Sequence, residues 1–508
     1  MRRLPPVTGE LIDRSQAVAF VFEGKPRRGY RGDTISSALS ASGVRVLGRS
    51  FKYHRPRGLL SAAGHDANTL VQVHCGERSV PNVRADVVPV DSDWRVSAVN
   101  TRGGLEHDRL AVLNRLSAFL PVGFYYKAFH SKRWFPRWER MFRRLSGLGE
   151  VDLRAGRRST PKRYDFCDVL VIGAGPSGLG AALAAAGRGA SVLLVDENPT
   201  AGGSGRYARG GATATLEKTA ALLAAVRADS RIRLLTSTYA AGYYADHWVA
   251  LVAPEYLVKV RARSVVIAQG AYEQPAVFRG NDLPGVMLAS AAQRLLYHHA
   301  VASAQRVAVL TANAEGYGAA LDALSNGLEL AAVLDLRATP GPLSMPAAQE
   351  LTRRGVAVHY GVTPIEALAR AGGDVGGLLF ETTAGAAPER RRIGLDGIWM
   401  SVGFAPANAL LHQAGARLSY SHAAEQFLPQ TLPSGVYACG KVNGVYSFDE
   451  RLADGRAAGE QAAGRLGFGA ESAAEPAAHS ALNLSTSMDF PMPLSPYRSM
   501  QGMRAHVG

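Results

Sequence analysis

The stretch with the clearest chemical potential is CDVLVIGAGPSGLGAALAAAGRGASVLLVDENPTAGGSGRY, which begins at Cys167. Gly173, Gly175 and Gly178 stand in G-x-G-x-x-G, after an apolar run and before an Ala-rich one, with Pro176 and Ser177 between them. The first glycine permits a tight turn. The second lets backbone approach a pyrophosphate, and the third lets a helix lie close on a strand. Free N–H groups at such a helix start, with the helix dipole behind them, favour phosphate. Asp196 lies 23 residues after Gly173 and closes the next apolar run, with Glu197 beside it; a carboxylate there accepts from ribose hydroxyls. Gly202, Gly203 and Ser204 follow. A lone G-x-G-x-x-G is weak. Strand, glycines, helix, strand, acid and Gly-Gly in register predict a bound dinucleotide.

Downstream segments add Ala240, Gln269, Gly270, Gly440 and Lys441 to the candidate cofactor-binding set; the lysine has the reach and charge for a phosphate. A second strand–loop–helix unit, QRVAVLTANAEGYGAALDALSNG (305–327), keeps Gly316 but has Thr311 and Asn313 where the first two glycines would stand. It reads as degenerate, so one occupied dinucleotide site is predicted. No nucleophile elbow, carboxylate pair or metal-ligand cluster stands out, and the catalytic residues stay unassigned. His298 and His299 are adjacent on a helical pattern and point different ways; they read as packing or surface groups. Cys75, Cys167 and Cys439 are far apart with no CxxC. That argues against a disulfide framework, a zinc site and a cysteine-ligated cluster, and it fits a reducing cytoplasm.

These residues need elements to position them. A chain of 508 residues is too long for one core, and roughly three or four domains are expected. Short β patterns with one helix make residues 1–97 a β-grasp-like domain. Residues 98–163 read as a helical linker. The first dinucleotide-binding domain takes 164–284 and returns at 396–467 through GIWMSVGFAPANALL and GVYACGKVNG. The second, degenerate one takes 285–395. Residues 468–508, rich in Ala, Ser and Pro, read as a C-terminal extension. No run of about 18 apolar residues appears, so no membrane span is expected, and MRRLPPVTGE lacks the apolar core of a secretory signal. The piece SKRWFPRWERMFRRLSGLG (131–149) mixes aromatics and arginines, and its aromatics are expected to pack on a neighbouring domain.

The charge is uneven. Residues 1–163 hold 30 Lys+Arg and 14 Asp+Glu, a net of +16; the remainder holds 27 and 28, a net of −1. Such a region attracts anionic cofactors or acidic partner subunits; no nucleic-acid recognition module is visible. Within it, VLGRSFKYHRPRGLL (46–60) occupies the place where a plant-type ferredoxin fold carries C-x4-C-x2-C. It offers Arg49, Lys52, His54, Arg55 and Arg57 instead. These five are candidate anchors for a cofactor phosphate or a partner surface, and no iron–sulfur cluster is expected in this chain.

Several of these stretches together bring a family into view. GELIDRSQAVAFVFEGKPRRGYRGDTISSAL, VLGRSFKYHRPRG, LPVGFYYKAF, LVIGAGPSGLGAA, LLVDENPTAGGS, VVIAQGAYEQPAVFRGNDLPGVMLASAA and GVYACGKVNGVYSFDERLADG run in order over about residues 9–460. The chain resembles the α subunit of heterotetrameric sarcosine oxidase and its relatives. The resemblance implies an α/β fold: a ferredoxin-like N-terminal domain without cluster cysteines, then a two-dinucleotide-domain body of the disulfide-reductase type. It implies a partner β subunit with FAD that oxidises a small secondary amine, small additional subunits, and FMN between α and β. Full sarcosine oxidase α subunits carry a second half resembling an aminomethyltransferase. No stretch of this sequence resembles it, so folate coupling is not implied and sarcosine becomes a doubtful substrate. Shorter relatives are the α subunits of hydrogen cyanide synthase, opine oxidases and proline or hydroxyproline dehydrogenases. Members that bind FAD usually end their last strand with Gly-Asp; Gly440-Lys441-Val442-Asn443-Gly444 stands here, which tilts the reading from FAD toward NAD.

The expected function is a dinucleotide-binding subunit of a cytoplasmic, flavin-dependent amine or imino-acid oxidoreductase. One alternative is a scaffold that binds NAD or FAD statically and completes an FMN pocket. Another is a free-standing NAD(P)H-dependent flavin reductase, weakened by the lack of a CxxxxC after Gly202–Gly203. Reduction of the bound nucleotide by substrate separates the first from the second.

Overall fold

The computed structural model describes residues 2–119, 123, 129–145, 147, 149–154, 160–383 and 388–469. The predicted C-terminal extension lies almost wholly outside them, as do 120–122, 124–128, 146, 148 and 155–159 of the linker. In the described linker, a 3-10 turn (Arg109–Ala111) runs into a short helix (Val112–Arg115), and a second helix spans Phe135–Leu145. Trp134 and Phe135 are exposed, whereas Trp138 and Phe142 meet Phe129 edge to face. The aromatics of this segment therefore divide between solvent and one another.

The N-terminal unit is a five-stranded sheet. Its spatial order is Lys25–Arg31, Asp13–Phe22, Arg95–Ala98, Leu70–Cys75, Arg78–Arg84. The helix Ile35–Ala41 lies on one face, capped by Thr34, whose hydroxyl accepts from Ser37 N–H at 3.1 Å. Phe20, Phe22, Ile35, Leu39, Val71 and Val73 close its core.

The body holds two parallel sheets. In the first, Ile232–Leu235, Val192–Val195, Lys162–Ile172, Leu257–Ile267 and Val436–Ala438 run parallel, and a meander through Trp248–Val252 and Tyr239–Tyr244 pairs on antiparallel. The run VLLV is buried on both faces, as a central parallel strand covered by helices must be. Helices Pro176–Gly187 and Phe448–Gly464 cross in close contact. A Cβ at Gly455 would lie 2.0 Å from Ser177 O, and one at Gly459 would lie 2.1 Å from Ala181 O. Only glycine permits that approach.

The second parallel sheet has the order Val286–Leu288, Gly397–Ser401, Arg306–Thr311, Glu329–Asp335, Val358–His359. This corrects one sequence expectation. The strand in GIWMS pairs inside the second sheet, so the return to the first comes later in the chain. The apolar run is equally at home in either sheet; its register against Val286–Leu288 and Arg306–Thr311 decides. The degenerate loop is also explained. Asn313 caps the helix Ala314–Ser325, its Oδ1 accepting from Gly316 N–H at 3.2 Å. Its Nδ2 donates to Ser401 O at 2.9 Å. The first-turn donor that would face a phosphate is thus satisfied by the protein itself.

Ion pairs join the N-terminal unit to the body. Arg45 meets Asp396 at 2.5 Å and Asp374 at 3.4 Å. Arg57 meets Asp282 at 2.6 Å. Arg2 and Arg3 pair as a short strand with Val301–Ala302.

Candidate dinucleotide-binding site

The turn from Lys162–Ile172 into Pro176–Gly187 builds the floor of the site. Gly173 has φ +102°, and a Cβ there would meet Ala268 O at 2.4 Å. A Cβ on Gly178 would lie 1.7 Å from Gly173 O, so this third glycine serves helix–strand packing and lies behind the wall. Gly175 differs, because a Cβ there would meet nothing within 4 Å. It faces a cavity of about 410 Å³ lined also by Gly173, Pro176, Ser177, Glu197, Gly203 and Ser204. No side chain caps the helix at Gly175; Pro176 has no N–H, so the donors open to an anion begin at Ser177, which lines that space.

Around the rest of the cavity stand Asp196, Ala240, Gln269, Gly270 and Lys441. Twelve of the fifteen residues expected to bind a cofactor therefore line one space; Gly178, Gly202 and Gly440 do not. Gly202 N–H donates to Ala174 O at 2.8 Å, tying the Gly-Gly turn to the phosphate loop. Gly440 has φ +77°, and a Cβ there would lie 2.1 Å from Ser177 Oγ; it supports the wall from behind. Gln269 Oε1 is buried without a hydrogen-bond partner. An orphaned acceptor against the cavity is what a nucleotide donor would satisfy.

Two expected roles change. Asp196 lines the cavity, but its carboxylate is engaged by the loop. Oδ2 accepts from Ala174 N–H at 2.7 Å, and Oδ1 accepts from Asn198 N–H at 2.8 Å and from its side-chain amide at 2.9 Å. It fixes the loop, and burial pushes its carboxyl up. Glu197, solvent-exposed, lines the cavity beside it. The protein atoms around it raise its pKa by partial desolvation and Asp196 adds to the shift, while Arg294, Arg84 and His65 oppose it. Lys441 is likewise engaged. Its ammonium pairs with Glu315 and stands 4.4 Å from the Phe404 ring centre and 5.4 Å from that of Tyr446. Burial raises Glu315, but Lys441 and Arg451 hold its carboxyl below the usual range. Arg451 Nη1 donates to Ser204 Oγ at 2.7 Å.

The basic loop also answers differently from its sequence. His54 Nδ1 lies 2.7 Å from Asp108 Oδ2, and Arg49 lies 3.7 Å from the same oxygen while donating to Leu105 O and His54 O. Arg57 is held by Asp282. Three of the five candidate anchors are thus joined to acids of this chain. Lys52 and Arg55 lie over the Tyr53 ring, and Arg55 Nε donates to Asn114 Oδ1 at 2.7 Å.

Sequence reasoning missed the groups that come from far away. Arg294 reaches the cavity from the helix Ala289–His299, Glu273 from the short strand after Gly270, Tyr207 from the loop after Gly203, and Ser61, Ala63 and His65 from the N-terminal unit. None carries a local motif. A buried cation in the run ASAAQRLLYHH was the one usable hint.

Fold and cavity together define a two-sheet dinucleotide-binding protein with a β-grasp unit packed on it. Residues 167–462 match the pyridine nucleotide-disulphide oxidoreductase family, and the chain belongs to that family of oxidoreductases. Over 405 residues the chain is 36% identical to a sarcosine oxidase alpha subunit of Rhizobium meliloti, covering 72% of this chain and 40% of that one. It is 31% identical to a Corynebacterium protein of the same name over 90% of this chain and 44% of that one. It is also 28% identical to an opine oxidase subunit of Rhizobium meliloti, covering 57% and 69%. The chain therefore spans less than half the length of the sarcosine oxidase relatives. An L-proline dehydrogenase structure from P. horikoshii shares the fold, with a TM-score of 0.62 at 17% identity over 92% of this chain and 76% of that one. No helix among the described residues is long and apolar enough to cross a membrane.

One expectation is overturned. Residues 15–101 match the family described as a 2Fe-2S iron-sulfur cluster binding domain, against the expectation that this chain has no iron–sulfur cluster. The sequence reading rested on the missing cysteine spacing, whereas the match covers the whole unit. The thiols present do not furnish a four-thiolate donor set. Cys75 is the one cysteine in 15–101 and pairs across strands with Arg78. Cys167 and Cys439 are buried in the first body sheet's surroundings. No group of three or more His, Cys, Asp or Glu among the described residues is placed to hold a metal ion.

Proposed function

We propose that this chain is the dinucleotide-binding subunit of a hetero-oligomeric, flavin-dependent oxidoreductase acting on a secondary amine or N-substituted amino acid, with the amine oxidised mainly on a partner subunit. The observation that carries it is the cavity at Gly175, with its uncapped helix start, its unpartnered Gln269 oxygen and Glu197 in its lining, set in a chain similar to subunits named for sarcosine and opine oxidation. Here the residues would hold a dinucleotide of the NAD or FAD class. When bound, it would supply hydride-transfer chemistry or a fixed charged surface. Helix N–H groups beyond Gly175 would meet the pyrophosphate, and Glu197 the ribose hydroxyls. Arg294 and the Lys441–Glu315–Arg451 cluster would fix the far wall and exclude water.

The test is Gly175→Val. The new side chain enters the cavity and meets no protein atom at its Cβ, so the fold is expected to stand. Purified wild-type chain should release a nucleotide on denaturation and the variant should not. Amine turnover by the isolated chain, or unchanged nucleotide content in the variant, would overturn the proposal. A static, non-redox role for the nucleotide is favoured by one feature, the ion-paired groups at Lys441 that crowd one wall. Absence of any spectral change in the bound nucleotide on adding substrate to the whole assembly would select it.

A further inference from the structure

The N-terminal unit does more than pack on the body. Ser61, Ala63 and His65 belong to its segment 60–66 and line the same cavity as the phosphate loop. That segment is built as a fixed wall. Asp66, 3% exposed, accepts from Leu60 N–H, Ser61 N–H and Asn68 N–H at 2.6, 3.0 and 2.9 Å. Gly64 N–H donates to Asp86 at 2.8 Å, and Arg84 donates to Gly64 O at 2.6 Å. Ala62 is held at φ +49°, a left-handed conformation that costs a non-glycine residue energy and concentrates at ligand clamps. The body grips the wall from the other side. Arg294 donates to Ala62 O at 2.7 Å and to the Tyr207 hydroxyl at 3.0 Å, and Leu288 N–H donates to Leu60 O at 2.8 Å.

His65 is the group this wall presents. Its Nδ1 lies 3.2 Å from Ala63 O. A carbonyl only accepts, so Nδ1 carries the proton, and Nε2 is the ring nitrogen that accepts when the ring is neutral. The ring meets Tyr272 edge to face at 5.1 Å, and His65 and Glu197 line the same cavity. Glu197 follows the second parallel strand, where the ribose acceptor of a dinucleotide site stands.

We infer that the β-grasp unit supplies one wall of the dinucleotide site, and that His65 Nε2 and Glu197 together accept from the hydroxyls of the adenosine ribose. This rests on the dinucleotide reading given above. Two acceptors at that ribose select a nucleotide with both hydroxyls free and disfavour one phosphorylated there.

The test is titration calorimetry on nucleotide-stripped full chain with NAD, FAD and NADP. His65→Ala should weaken NAD or FAD, whichever the wild type binds, by about fivefold to tenfold, and narrow the preference over NADP. His65→Gln, which keeps an acceptor, should recover most of the loss, and neither variant should shift the melting temperature of the empty chain. Unchanged affinity in His65→Ala while Gly175→Val abolishes binding would overturn the wall and leave the site reading intact. A wild type that binds none of the three, or a Gly175→Val chain that binds like wild type, would overturn the site reading and this inference with it.

Discussion

At the scale of the residue, two neighbouring acids divide one expected role. The sequence pattern announces that an acid must close the second strand, because that position is local to the motif. It does not say which acid turns inward to the backbone. Asp196 does so because Ala174 and Asn198 N–H groups need an acceptor, and that geometry belongs to the folded loop. The two variants should therefore separate. Asp196→Ala leaves backbone donors unsatisfied and should cost about 1–3 kcal/mol of stability, read by chemical denaturation of the empty chain. Glu197→Gln should leave that stability within about 0.5 kcal/mol, as surface substitutions do, and weaken nucleotide binding several-fold. Equal stability loss in both would show that the roles had been divided wrongly.

At the scale of the element, the glycine motif was legible because strand, turn and helix are contiguous. The helix that packs on it was not, because Gly455 and Gly459 meet Ser177 and Ala181 across more than half the chain, and no spacing rule joins them. Gly455→Ala forces a Cβ to within 2.0 Å of Ser177 O in the absence of movement. Overpacking of this kind costs about 1–3 kcal/mol. Because Ser177 is in the first turn facing the cavity, nucleotide affinity should fall too. A stable variant with normal affinity would mean the two helices slide apart freely.

The helix Ala289–His299 makes a second point at this scale. By sequence His298 and His299 read as packing or surface groups; in the fold charges from distant elements stand around both. Burial drives His299 down from 6.5 to about 4, Asp33 opposing and Arg3 adding to the shift. Burial, then His299, Arg294, Arg206 and Arg209, push His298 down as well. The unfolded chain takes up these protons near 6.5 and the folded chain does not. Between 6.5 and about 4 the unfolded state therefore binds more protons, so stability is full above 6.5 and is lost as pH falls. For His299 alone the loss by pH 4 is ~3 kcal/mol. His299→Gln should flatten that acid limb in denaturation curves taken from pH 7 to 4, and an unaltered slope would contradict the assignment.

At the scale of the whole molecule, the basic first third looked like a surface waiting for an anion. Two of its arginines are instead answered by acids that the sequence places hundreds of residues away: Asp396 and Asp374 for Arg45, Asp282 for Arg57. Charge counts along a chain record excess and not pairing, so this function of the arginines was invisible until the units were docked. The same docking brings segment 60–66 against the phosphate loop, which couples two properties that would otherwise be independent. Arg45 is 12% exposed and sits between two carboxylates. Removing it leaves Asp374 to Arg370 and Asp396 to the Gln305 and Arg306 N–H groups, so the pairs that tie the N-terminal unit to them are lost. Arg45→Ala touches no residue of the cavity, yet it should loosen the N-terminal unit and with it the wall that carries Ser61 and His65. Limited proteolysis should then cut faster between the N-terminal unit and the body. Nucleotide affinity should fall in parallel, and saturating nucleotide should restore part of the protease resistance, because a ligand held by both units stabilises their docked state. Arg55→Ala, whose guanidinium lies over Tyr53 and bonds Asn114 within the same third of the chain, should change neither. If Arg45→Ala frees the unit while nucleotide binding stays at the wild-type level, the ion pairs serve docking alone and the site is complete within the body.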